Sequence, residues 1–169
     1  MLPGPPPIAT PRLRLNPLRV DDADAMAGVL AGPALYRFTG GEPPTSDALR
    51  RRYAAQVTGV SPDGTERWLN WIVRLVAGGH AIGFVQATVT RDGREADIGW
   101  VIGVPWQGRG YASEAVAALV AWLRESGIAE VTAHIHPEHE ASARVAARAG
   151  LMPTDGIEDG ERVWRAPLE

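Results

Sequence analysis

The sequence predicts an α/β protein of the α+β kind, with one mixed, mainly antiparallel sheet flanked by helices. Trp68–Val76, Ala81–Thr90 and Glu95–Val104 are rich in β-branched and aromatic residues. Only the turns Ala77-Gly78-Gly79-His80 and Arg91-Asp92-Gly93-Arg94 separate them, so these three strands form an antiparallel meander. Past Gly110, Ala112, Ala115, Val116, Leu119, Val120 and Leu123 recur at i, i+3, i+4, the stripe of a helix that packs on the sheet. That helix stops at Gly127, and its length lets the next strand, Val131–Ile135, lie parallel to the third strand of the meander.

The other elements follow from local chemistry. Residues 1–11 read as a flexible, proline-rich lead-in, and residues 12–169 as a single domain. Arg12-Leu13-Arg14-Leu15 alternates with period two, as a strand ended by Pro17 does. Asp21-Asp22 offers a cap to a helix with Ala23, Met26, Ala27 and Leu30 on one face, closing at Gly32-Pro33. Tyr36, Arg37 and Phe38 lie in a following loop, as core anchors or as part of a substrate wall. Ser46 or Asp47 caps a second helix from Ala48 to Val57, whose Arg50-Arg51-Arg52 cluster reads as a solvated face. His136-Pro137-Glu138-His139 turns into a helix from about Glu140 to Ala149, with Glu140 and Arg144 spaced to pair. Strands near Met152–Ile157 and Glu161–Arg165 close the order β-α-α-β-β-β-α-β-α-β-β.

Composition excludes several classes of function. The formal net charge is −3 with both signs mixed along the chain, so no basic face exists to grip a duplex through many phosphates. The absence of cysteine removes disulfides, thiolate metal sites and a cysteine nucleophile. No apolar run reaches membrane-spanning length and the start lacks a signal peptide's pattern, so a cytoplasmic protein without membrane partners is expected.

The stretch Val104-Pro105-Trp106-Gln107-Gly108-Arg109-Gly110-Tyr111-Ala112 joins the third meander strand to the long helix. The first N–H groups of a helix have no intrahelical partner, and no Ser, Thr, Asp or Asn closely precedes this one to cap them. Gly108 and Gly110 let a ligand approach the main chain, where the helix dipole adds partial positive charge. Strand, glycine loop, uncapped helix and an arginine between the glycines together describe a phosphate site. Neither Gly-Lys-Ser/Thr nor Gly-x-Gly-x-x-Gly follows, which argues against a generic nucleotide-binding protein.

Gln107-Gly108-Arg109-Gly110-Tyr111-Ala112 resembles the Q/R-x-x-G-x-G/A loop of the GNAT superfamily of N-acetyltransferases. His139-Glu140-Ala141-Ser142-Ala143-Arg144-Val145, followed by Ala149-Gly150-Leu151, is similar to that family's N-x-x-S-x-R-V and x-G-F segment. With Leu13-Arg14-Leu15-Asn16-Pro17-Leu18, the resemblance spans nearly the whole chain, is greatest to the Rim-type branch that acetylates ribosomal-protein N-termini, and implies a GNAT-like sheet. It also implies that the amides of Gln107, Gly108, Arg109, Gly110, Tyr111 and Ala112 hold the pyrophosphate of acetyl-CoA. Pantetheine then pairs with the strand edge near Ile102, Gly103 and Val104.

Acetyl transfer to an amine needs an unprotonated nucleophile, a stabilised oxyanion and a proton for the departing thiolate. The resemblance places a tyrosine donor where this chain has Ala146, so Ser142 becomes the candidate donor, against a role as a local backbone partner. Asp97, on the strand that leads to the loop, is the candidate base, directly or through water, with His134 and Glu66 as rivals and a solvent-facing role as the bland account. His134 and His136 share a strand face without a third ligand, so no metal site is expected. His139 stands where the branch has asparagine and is assigned to CoA or to the helix start; Arg144 is assigned to the cofactor's phosphates or to a pair with Glu140. Trp68, Trp71, Tyr36 and Phe38 line an acceptor cleft or belong to the core.

The expectation is therefore acetyl transfer from acetyl-CoA to a primary amine, a protein N-terminus or a small molecule, by direct attack in a ternary complex. The alternative is a non-catalytic CoA-binding sensor or interaction module, motivated by Ala146 and His139. A homodimer stays open.

Overall fold

A computed structural model describes residues 4–168. Its sheet has eight strands: β1 (Ile8–Ala9), β2 (Leu13–Pro17), β3 (Glu66–Leu75), β4 (Ala81–Thr90), β5 (Glu95–Ile102), β6 (Glu130–Ile135), β7 (Met152–Glu158) and β8 (Glu161–Pro167). Their spatial order is β1-β2-β3-β4-β5-β6-β8-β7. Every neighbouring pair is antiparallel except β5 and β6. The helices are α1 (Ala23–Val29), α2 (Ser46–Gln56), α3 (Tyr111–Glu125) and α4 (Glu140–Arg148).

Alternation along the strands divides the core in two. Leu69, Trp71, Val73, Val85, Ala87, Ile98, Val131 and Ala133 meet α3 and α4 on one face. Met26, Leu49 and Tyr53 from α1 and α2 cover Ile72 and Phe84 on the other. On α3, Ala115, Val116, Leu119, Val120 and Leu123 are buried, as the periodicity requires. Burial contributes about 1.5–3 kcal/mol for each of the larger aliphatics. A missing cap costs about 1 kcal/mol, so α3 can dispense with one.

Several local features differ from the sequence reading. The segment before Arg12 is tied down rather than loose, because Ile8 pairs with Leu15 and Ala9 with Arg14, and the Pro6 carbonyl accepts from Trp71 Nε1 at 2.7 Å. Residues 1–3 and Glu169 lie outside the described residues. Thr45, not Ser46 or Asp47, caps α2, its Oγ1 accepting from the Ala48 N–H at 3.1 Å. Asp22 makes no side-chain cap to α1; its carboxylate takes the Arg19 N–H and Arg74 instead.

Candidate functional site

Strands β5 and β6 form a fork. They pair only at Glu95–Glu130, Ala96–Val131 and Asp97–Thr132, after which β5 runs on to Ile102 and β6 to Ile135 without pairing each other. The far side of each stays in register with β4 or β8. Gly103 donates its N–H to the Ile82 carbonyl, so by alternation Val101 and Gly99 also point their backbone groups at β4. Ile98, Trp100 and Ile102 then face the gap.

The open edge therefore begins earlier than Ile102-Gly103-Val104. Gly103 is used within the sheet, and Val104 has left it for a 3₁₀ turn, Val104–Trp106, that seats Val104 against Gly32. Gln107 does not add its amide to the loop as expected: its N–H donates to the Val104 carbonyl at 3.2 Å, and its Nε2 donates to the Ile102 carbonyl at 2.9 Å and ends the free edge.

At the mouth of the gap, Gly108 (φ +77°) and Gly110 (φ +82°) adopt left-handed conformations that L side chains resist. They bend the chain straight into α3, whose N-cap, Gly110, has no side chain to offer. Among the described residues, the N–H groups of Gly108, Arg109, Gly110, Tyr111, Ala112 and Ser113 meet no protein acceptor. The first turn of α3 thus presents a row of free donors at the positive end of its dipole. That donor set suits a diphosphate, the group that joins the two halves of CoA.

One contact here was illegible in the sequence. Arg12, from the N-terminal segment, donates Nη1 to the Arg109 carbonyl at 2.9 Å and lies 4.4 Å from the centroid of the Tyr111 ring. The Arg109 side chain is exposed.

Helix α4 starts at the tip of the other arm. Its N-cap, His139, gives no side-chain cap; Nε2 lies 3.3 Å from Ser142 Oγ and the ring stacks on Phe38 at 4.6 Å. Phe38 also meets His136 at 5.0 Å, so the loop after α1 reaches across to β6 and α4. Burial lowers the His139 pKa below its ordinary value, with nearby His136 in support, and favours the neutral ring. Arg144 is exposed and makes no ion pair with Glu140; an exposed i, i+4 pair is worth only about 0.3–0.5 kcal/mol and does not dictate geometry. Ala146 is fully buried against the core, so its position presents nothing to the gap.

Asp97 sits at the crotch of the fork. Its Oδ1 accepts from Thr132 Oγ1 at 3.0 Å and meets His134 Nδ1 at 2.9 Å, while His134 Nε2 meets Glu158 on β7 at 2.7 Å. Burial works to lower the His134 pKa, but the Glu158 and Asp97 carboxylates outweigh it and the net shift is upward. Both imidazole nitrogens are engaged, so His134 has no free nitrogen for a substrate, whereas Asp97 Oδ2 has no protein partner among the described residues. Glu66 pairs with Thr90 at the closed end of the sheet, two strands from β5, and is not brought to the fork. Among the described residues no three His, Cys, Asp or Glu side chains are placed to hold a metal. Asp97 and Ser142 are likewise not in contact; one marks the crotch, the other the tip of the opposite arm.

Residues 12–152 match the family model of the acetyltransferase (GNAT) domain. The chain belongs to that family. It is 33% identical over 103 residues to aminoglycoside N(6')-acetyltransferase type 1 of Stenotrophomonas maltophilia; the match covers 55% of this chain and 63% of that protein, so the chain spans less than two thirds of that relative. Ribosomal-protein-S5-alanine acetyltransferase of Vibrio fischeri shares the fold at a TM-score of 0.79, with 16% identity and 97% of each chain covered. RimL, a ribosomal L7/L12 alpha-N-protein acetyltransferase solved in complex with coenzyme A, aligns at a TM-score of 0.78, with 13% identity over 96% of this chain and 98% of its own.

In this GNAT domain a polar cleft of about 130 Å³ opens on the α2 face, lined by Gln56, Trp68, Asn70, Gln86 and Thr88. Trp68, Thr88 and Asp97 occupy one cross-strand row, which carries the cleft toward the crotch. Trp71 belongs to the core, fully buried edge-on to Trp122. Trp68 faces the other way, beside Gln56, which only the closed sheet shows.

Proposed function

We propose that the chain is an acyl-CoA-dependent N-acetyltransferase that acts on a primary amine, a protein N-terminus or a small molecule, by direct attack in a ternary complex. The row of unpartnered amides from Gly108 to Ser113 at the mouth of an unpaired strand fork carries this reading. Family membership and a fold shared with a CoA complex support it. A cytoplasmic setting fits, since no helix among the described residues is long and apolar enough to cross a membrane. A homodimer remains compatible.

Acetyl-CoA supplies an activated acyl carbon and a thiolate leaving group. The loop amides would hold the diphosphate, the exposed Arg109 and Arg144 could add positive charge to it, and Ile98, Trp100 and Ile102 would offer backbone groups to the pantetheine arm. The amine lone pair forms the new C–N bond as the C–S bond breaks. Asp97 Oδ2 takes the proton lost from nitrogen, directly or through one water. Ser142 Oγ would give a proton to the thiolate and regain one from solvent, while neutral His139, its Nε2 3.3 Å from Oγ, orients the hydroxyl. Thr132 and His134 fix the Asp97 carboxylate in place.

The test is release of free thiol from acetyl-CoA across short peptides of varied first residue, polyamines and aminoglycosides. With no cysteine in the chain, every thiol detected is product. Turnover with at least one class is expected. CoA binding without turnover against any of them would instead make the protein a non-catalytic CoA module.

A further inference from the structure

Glu114 presents a problem that the amide row alone does not solve. It stands in the first turn of α3, where its negative charge would oppose a bound diphosphate at short range. Both of its oxygens are drawn back toward the N-terminal segment. Arg12 Nε meets Oε1 at 2.7 Å, while Oε2 accepts from the Arg12 N–H at 3.0 Å and from Thr10 Oγ1 at 2.5 Å. Burial works to raise the Glu114 pKa, but donation from Thr10 and Arg12 prevails and holds the carboxyl below its ordinary range, in its charged form. The same guanidinium holds the Arg109 carbonyl between the two left-handed glycines and covers the Tyr111 ring. Its Nη2 stands 3.3 Å from where a Cβ on Gly110 would be.

We infer that Arg12 is a positioning residue for the cofactor loop: it fixes the carbonyl of Arg109 so that the adjoining N–H groups turn outward, and it neutralises Glu114 so that the start of α3 can take a diphosphate. The planar, permanently charged guanidinium suits both tasks because its separate donors reach a carboxylate and a carbonyl together. Thr10 completes the clamp, which gives the paired β1–β2 segment a role at a site about a hundred positions away in the chain. The inference rests on the reading of the loop as a CoA site.

The test is calorimetric titration of CoA into the wild type, Arg12→Ala, Glu114→Gln and the double variant, with melting temperatures recorded. Arg12→Ala should weaken CoA about tenfold, equivalent to about 1.4 kcal/mol. Glu114→Gln alone should stay within about twofold, and the double variant should recover to within about threefold of wild type, because the repulsion has gone. A merely structural contact would leave the double variant as weak as Arg12→Ala, and that result overturns the inference. In turnover, Arg12→Ala should raise the KM for acetyl-CoA and leave the acceptor's KM alone. Should Arg12→Ala fail to fold, Arg12→Lys keeps the charge but loses the fork and should bind with intermediate strength; wild-type affinity there overturns the inference. Wild-type protein that does not bind CoA overturns the loop assignment itself, and this inference with it.

Discussion

Helices α3 and α4 both begin at the open end of the fork, one after each of its diverging strands, yet they treat their first turns differently. The start of α3 is bare, with a glycine cap, two left-handed residues and six N–H groups without acceptors among the described residues. The start of α4 is furnished with side chains: His139 stacks on Phe38 and faces Ser142. Main-chain donors suit a charge held in place throughout a reaction. A hydroxyl beside an imidazole suits a proton that must move, since both groups donate and accept. Under the proposed function, one arm of the fork serves for holding and the other for proton transfer.

The largest expected effect breaks the holding arm. Gly110→Glu places a side chain on a φ of +82° and a negative charge beside the amide row; CoA affinity should fall at least about a hundredfold in calorimetry. Unchanged affinity in a folded variant would remove the distinction between the two helix starts. On the other arm, Ser142→Ala should lower kcat about a hundredfold while CoA affinity stays the same, a split that rapid-quench and binding measurements resolve. Retained kcat would reduce the His139–Ser142 contact to local helix chemistry.

The smallest effect concerns the crotch. His134 has a raised folded-state pKa, so its pairing with Asp97 and Glu158 stabilises the fold fully below the ordinary histidine value of 6.5 and is lost as pH rises through the raised value. The partners are well exposed, which limits the gain to about 1 kcal/mol. His134→Gln should melt about 2–4 °C below wild type at pH 5.5 and match it at pH 9. An equal deficit at both values would assign the loss to packing.

Periodicity made most of the fold legible. Meander, stripe and parallel crossover each follow from spacing within one or two elements, and α3 buries five of the six residues of its stripe, Ala112 being half-buried. The free amides were legible too, because the lack of a cap is a local fact. What depended on distant closure was not. Nothing near Arg12 shows that it sits on Arg109, and the prolines before it concealed a strand whose partner, β2, lies just beyond them. Where several side chains could serve equally, spacing failed to choose: Thr45, Ser46 and Asp47 can all cap, and the φ of −75° and ψ of 162° at Thr45 decided it. The free edge was misplaced by a few residues because Gln107, five positions on, takes the carbonyl of Ile102.

The short stitch between β5 and β6 has one further consequence. Among the described residues only three register pairs join the five-stranded half of the sheet to the three-stranded half, and α3 bridges the remainder. A molecule lodged in the gap would act as a missing rung, so the cohesion of the two halves becomes a property of the surrounding solution and rises with the concentration of whatever fills the cleft.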